Sequence, residues 1–202
     1  TKPRPSPRRD RPRRSREFSV ADRIWFLIAA AGSARRFGGP VPKPYLKIAG
    51  RTLLEHSLRA LSAVHGVTGG VVVLAPGDRR FQRLPKLLRR RVVTAPGGPT
   101  RAMSVLNGLR ALVTASEDDW VLVHDAARPC LPRSDVDALI AECRRDPVGG
   151  LLAIPVTDTV KQADDEGRSS RTLPRERLWR AQTPQMFRLG RLSRALTQAL
   201  EE

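Results

Sequence analysis

The chain of 202 residues carries 37 Lys and Arg against 20 Asp and Glu, a formal charge of +17, with 40% hydrophobic and 4% aromatic residues. This length suits one domain with a core of ordinary size, and no apolar run approaches the roughly 18 residues of a membrane-spanning helix. Two cysteines, Cys130 and Cys143, cannot build a disulfide framework and lack metal-ligand spacing, so a reducing, cytoplasmic setting is expected.

The charge is unevenly placed. Residues 1–17 hold Lys2 and seven arginines against Asp10 and Glu17, a net +6, which leaves +11 on the remainder. They include Pro3, Pro5, Pro7 and Pro12 and no aliphatic side chain. Such a chain cannot bury enough apolar surface to offset the entropy of ordering, and residues 1–22 are expected to form a disordered basic tail. The tail lacks the apolar stretch of a secretory signal. It reads as a solvated extension or as a contact for nucleic acid, although it has no aromatic residue to stack on bases.

Residues 23–202 form the second unit. Ile24–Ala29, Gly70–Leu74, Trp120–Val123 and Gly150–Ile154 are continuous apolar runs, the pattern of strands covered on both faces of a parallel sheet. Helix-period segments lie between them. Leu54, Leu58 and Leu61 share one face, Val105, Leu106, Leu109 and Leu112 another, and Val136, Leu139, Ile140 and Cys143 a third. Ser134 or Asp135 is the expected N-cap of the last. The Arg89–Arg91 run reads as a solvated helix end, and residues 157–175, polar and without a helical stripe, as an exposed hairpin or arm. The alternation predicts an α/β fold, a Rossmann-like mostly parallel sheet with helices on both faces. Ligands of such sheets bind beyond the carboxyl ends of the strands.

The loop after the first strand runs Ala30-Ala31-Gly32-Ser33-Ala34-Arg35-Arg36-Phe37-Gly38-Gly39-Pro40-Val41-Pro42-Lys43. Its small residues admit a ligand close to the backbone. It matches neither a Walker A sequence nor the dinucleotide GxGxxG. Arg36 and Lys43 add fixed cations suited to a triphosphate whose charge rises during reaction; the alternative is a glycine-rich turn with surface arginines. Asp125 lies just after the Trp120–Val123 run, where a carboxylate is either a hard ligand for Mg²⁺ or an ion-pair partner of Arg128.

This loop, with residues 97–108 (GGPTRAMSVLNG), 121–129 (VLVHDAARP), 155–161 (PVTDTVK) and 178–187 (LWRAQTPQMF), closely resembles the 2-C-methyl-D-erythritol 4-phosphate cytidylyltransferase family from about Ile24 onward. The resemblance implies a nucleotide-diphospho-sugar transferase-like fold, with CTP and methylerythritol phosphate as substrates. It places the backbone of Ala30, Ala31, Gly32 and Gly98 and the Ser104 hydroxyl at the nucleotide, with Ala126 near the ribose. Asp125 becomes the Mg²⁺ ligand, and Arg36 and Lys43 stabilise the transition state. Thr159 and Arg175 would hold the acceptor phosphate, Arg175 acting in trans through the arm of a homodimer. Taken alone, Ser104 also fits a back-bonded helical serine and Arg175 a solvated arm residue. His124 reads as a structural hydrogen-bonding residue, and Trp179 and the Thr183-Pro184-Gln185 turn as packing for the site.

One departure is Pro99, where the family usually has an acidic residue. Family members also continue past the end of this chain, through a region supplying an Asp and a Lys to the second substrate. Impaired turnover with surviving CTP–Mg²⁺ binding is therefore expected. The rival readings are a cytidylyltransferase for another polyol phosphate, such as ribitol 5-phosphate, and a non-catalytic nucleotide- or nucleic-acid-binding fragment.

Overall fold

The structure, a computed structural model, describes residues 23–32 and 41–202. The tail expected over residues 1–22 lies outside the described residues, as does Arg36. In chain order the elements are β1 (Ile24–Ala29), a 3-10 turn (Lys43–Tyr45), β2 (Lys47–Ile48), β3 (Arg51–Thr52), α1 (Leu53–Ser62), β4 (Val67–Leu74), a second 3-10 turn (Phe81–Arg83) and α2 (Lys86–Arg89). They continue with β5 (Val92–Pro96), α3 (Arg101–Ala111), β6 (Trp120–Asp125), α4 (Arg133–Cys143), β7 (Gly149–Pro155), β8 (Val160–Ala163), β9 (Ser169–Leu173), β10 (Trp179–Arg188) and α5 (Leu189–Glu201).

Six strands form one sheet in the order β5-β4-β1-β6-β10-β7. The first four are parallel, and β10 runs antiparallel between β6 and β7. This is the mostly parallel α/β sheet that the apolar runs predict. β1 and β6 are central and buried on both faces, which is why their sequences are apolar without alternation. On one face Phe26, Ile28 and Leu122 pack with Leu54, Leu58 and Leu61 of α1 and Val136, Leu139 and Cys143 of α4. On the other, Leu27, Val71, Val73 and Val121 meet Val105 and Leu109 of α3, with Leu192 and Leu196 of α5 against them. Each such side chain contributes roughly 1.5–3 kcal/mol on burial, against about 0–1 for an exposed ion pair, so the core and not the surface charge holds the sheet.

Local chemistry sets the ends of the elements. Thr52 and Glu55 close a reciprocal capping box at the start of α1. Ala49 and Gly50 both have positive φ and form the two-residue turn between β2 and β3. Three expectations need correction. The N-cap of α4 is Pro132, not Ser134 or Asp135; the Ser134 hydroxyl bonds Asp135 instead, and proline needs no N–H at a helix start. Thr183-Pro184-Gln185 is no turn between elements but lies within β10, where its pairing with β7 is interrupted. The strands are also longer than the apolar runs, β4 beginning at Val67 and β6 continuing through Asp125.

The polar segment 157–175 is a hairpin, β8 against β9, forming a two-stranded sheet separate from the central one. Its residues are mostly exposed. Of the two free thiols, Cys130 is exposed and Cys143, the last residue of α4, is buried, which pushes its pKa up to about 11. No helix among the described residues is long and apolar enough to cross a membrane.

β6 begins beside a buried acid. Asp119 accepts from the Trp25 indole at 2.9 Å, the Ser116 amide at 2.9 Å and the Arg23 guanidinium at 2.9 Å. Burial alone would raise its pKa, but these donors together hold it below the usual carboxylate value. Asp119→Ala leaves the buried indole and amide unpaired and is expected to cost about 2–4 kcal/mol in urea unfolding at neutral pH. The carboxylate's contribution is present above its ordinary pKa and fades as pH falls through the lower folded value. The gap between wild type and variant should therefore narrow in acid.

Candidate active site

The parallel register brings the carboxyl ends of four strands level. Ala29 pairs with Val73 on one side and Asp125 on the other, and Leu74 pairs with Pro96. Hydrogen bonds carry this alignment into the loops: Ala30 donates to Val73 (2.8 Å), Gly97 to Leu74 (2.7 Å) and Ala126 to Ala29 (3.1 Å). The three loops wall a cavity of about 770 Å³, lined by Ala30, Ala31, Gly32, Lys43, Gly98, Pro99, Thr100, Arg101, Ser104, Asp125 and Ala126 among others. This volume suits a nucleotide-sized ligand.

Close approach explains the glycines here. A Cβ on Gly97 would stand 2.2 Å from that of Ala31, and one on Gly98 2.4 Å from the Met103 side chain. Ser104 fixes this loop rather than bonding back along its own helix. Its hydroxyl accepts from the Gly98 amide at 2.9 Å and approaches the Gly98 carbonyl at 3.4 Å. Thr100 caps α3 by accepting from the Met103 amide, so the positive end of this helix opens at the cavity wall.

Asp125 is partly exposed at the end of β6. Its Oδ1 accepts from Arg101 Nε (3.1 Å) and Nη2 (3.0 Å), and its Oδ2 from Arg128 Nε (3.3 Å). The ion pair with Arg128 that the sequence leaves open is present, and Arg101 joins it. Among the described residues no cluster of three or more His, Cys, Asp or Glu could by itself hold a metal ion.

His124 sits wholly buried behind this carboxylate. Its Nε2 meets the Arg128 carbonyl at 3.0 Å and its Nδ1 the Thr183 hydroxyl at 2.9 Å. A carbonyl only accepts, so Nε2 carries the proton. In the neutral ring Nδ1 then accepts from Thr183, whose oxygen in turn accepts from the Asp125 amide at 3.3 Å. Burial, the leading cause, pushes His124 below the usual histidine value of 6.5. The ring is a structural clamp on the backbone of Arg128 and, through Thr183, of Asp125, in keeping with its sequence-based reading.

The residues expected at the nucleotide, Ala30, Ala31, Gly32, Gly98, Ser104 and Ala126, thus line one cavity with Lys43 and Asp125. Thr159 and Arg175 do not line it. The Arg175 guanidinium donates to the Thr157 carbonyl across the base of the hairpin, and Thr159 is exposed nearby. Sequence reasoning missed Arg101, and it read Thr183 as packing for the site without its bond to His124. Arg101 is the first residue of α3, three before Ser104, and that position beside the glycine pair was its available signal. Thr183 is 59 residues from His124, and nothing local marks the pair.

A mostly parallel sheet with a cationic, single-carboxylate cavity beyond its strand ends is the frame of a nucleotidyltransferase. A family model described as 2-C-methyl-D-erythritol 4-phosphate cytidylyltransferase (IspD) matches residues 24–202. The chain belongs to this family of cytidylyltransferases. Among similar proteins, the 2-C-methyl-D-erythritol 4-phosphate cytidylyltransferase of Dechloromonas aromatica is 52% identical over 177 residues, covering 86% of this chain and 78% of the relative. That of Pseudomonas putida is 51% identical, with 88% and 76% covered. A crystal structure of the Francisella tularensis protein of the same name superposes with a TM-score of 0.75 at 31% identity, over 89% of this chain and 78% of that one.

The buried histidine makes a testable demand on pH. The unfolded chain takes up a proton near pH 6.5 that the folded state refuses, so stability should be complete above that value and decline below it. His124→Gln should flatten this slope in urea melts compared between about pH 7.5 and 5.5. An unchanged slope would mean that the imidazole is not held neutral.

Proposed function

We propose that this chain transfers the CMP group of CTP to 2-C-methyl-D-erythritol 4-phosphate, releasing pyrophosphate and giving 4-diphosphocytidyl-2-C-methyl-D-erythritol. The reading is carried by the cavity: the small-residue loops expected to meet the nucleotide, Lys43 and Asp125 all line it, although they come from three distant parts of the chain.

In this reading an acceptor phosphate oxygen attacks the α-phosphorus of CTP in line. A new P–O bond forms as the bond to the bridging oxygen of pyrophosphate breaks. The attacking oxygen is already an anion, so no general base is needed, consistent with both His124 nitrogens being engaged in the fold. Lys43 and Arg36 stabilise the added charge on the reacting phosphate, and the backbone around Ala30 and Gly98 receives the base.

The donor set fits a divalent cation of the Mg²⁺ kind only in company with the nucleotide. One partly exposed carboxylate, Asp125, is available, and Mg²⁺ is commonly bound by one or two carboxylates together with substrate phosphates and water. When bound, the ion supplies neutralisation of the triphosphate charge. Thr159 and Arg175 are proposed to position the acceptor phosphate from the partner of a homodimer, through the 157–175 arm.

Isothermal titration of CTP in the presence of Mg²⁺ tests the site. Loss of a charged contact is worth about 1.5–3 kcal/mol, so Lys43→Ala and Arg36→Ala are each expected to weaken binding by about 10- to 100-fold. Asp125→Asn should abolish the dependence on the cation. Unaltered binding in all three variants would contradict the reading. Product analysis with methylerythritol phosphate and ribitol 5-phosphate as competing acceptors then identifies the polyol.

A further inference from the structure

We propose that Arg101 is a switching counter-ion of this site. In the free protein it holds the Asp125 carboxylate; when that carboxylate takes a divalent cation, the guanidinium turns to the triphosphate. The inference rests on the nucleotide reading above and adds a positioning residue to it.

The geometry separates the two arginines around Asp125. Arg128 is tied down on several sides: its Nη1 donates to Gln182, its amide to the Asp125 carbonyl at 3.1 Å, and its carbonyl meets His124. Arg101 has no second side-chain partner among the described residues. It gives two N–H groups, Nε and Nη2, to the single oxygen Oδ1. Its side chain is 51% exposed on the cavity wall at the first turn of α3.

Competition follows from this arrangement. An oxygen that accepts two guanidinium bonds has its lone pairs committed, and a cation approaching Oδ1 must displace them. A pair this exposed is weak and yields readily. Once the carboxylate charge is matched by the cation, repulsion drives the guanidinium away. The nearest high density of negative charge is then a triphosphate in the same cavity, which an arginine fork matches in a bidentate manner. Cation and nucleotide thereby become coupled ligands, since each vacates a group that the other uses.

CTP titrations of the full chain in EDTA and in Mg²⁺ test the switch. Arg101→Ala should weaken binding about tenfold or more in Mg²⁺ but only about two- to fivefold in EDTA, where the arginine is engaged with Asp125. Arg101→Lys, which keeps the charge without the fork, should recover part of the Mg²⁺ affinity. Asp125→Asn should bind CTP more tightly than wild type in EDTA, because the arginine is released, and adding Arg101→Ala should cancel most of that gain. Equal losses in both media for Arg101→Ala would make it a plain triphosphate ligand and overturn the switch. No loss in either medium, or an undiminished gain in the double variant, would also overturn it. Failure of the wild type to bind CTP in Mg²⁺ is a separate result: it removes the nucleotide reading itself.

Discussion

The parallel pairing of β1 with β4 and β6 is the constraint on which the site depends. Because Ala29 stands level with both Val73 and Asp125, the loops that leave these strands are forced to open side by side. A slip of one residue along this register would turn alternate side chains of β6 to the opposite face and exchange His124 with Asp125. The apolar faces prevent that slip: Phe26, Ile28 and Leu122 belong to one layer and Leu27, Val121 and Val123 to the other. Packing far from any ligand thus places the cavity.

Strand β6 and its flank illustrate how environment assigns roles to identical groups. Asp119, just before its start, is buried and receives donors from Trp25, Ser116 and Arg23; the carboxylate is consumed in holding the sheet to its neighbours. Asp125, at the other end, faces a cavity and is held only by partly exposed arginines. Desolvation with full pairing gives a structural acid, whereas partial exposure among cations leaves one available to a ligand. Between them, the neutral His124 links β6 to β10 through Thr183, whose hydroxyl also accepts from the Asp125 amide.

Charge around the cavity follows the same logic. Lys43, Arg101 and the start of α3 line it against one acid, and Arg128 pairs with that acid. This balance favours a polyanion and suits a chain whose formal charge is +17. It also leaves the Asp125 carboxylate paired within the fold, between Arg101 and Arg128.

Much of this was legible in the chain itself. Continuous apolar runs marked β1, β4, β6 and β7, and the three amphipathic stripes marked α1, α3 and α4, because burial on one or both faces leaves a local, periodic trace. The edge strand β5, half exposed, and β10, interrupted at Thr183-Pro184-Gln185, leave no such trace. The loop residues Ala30 to Gly32, Lys43 and Gly98, with Ser104 on α3, stood out by motif, and Asp125 by its place after a buried run. The contacts of Arg101 with Asp125, and of His124 with Thr183, span 24 and 59 residues. The amino-acid sequence determined which segments must be buried and which residue types could meet a nucleotide. Only the tertiary structure decided which charged and polar groups face one another, since that follows from strand order and register, properties of the assembled sheet and of no single segment.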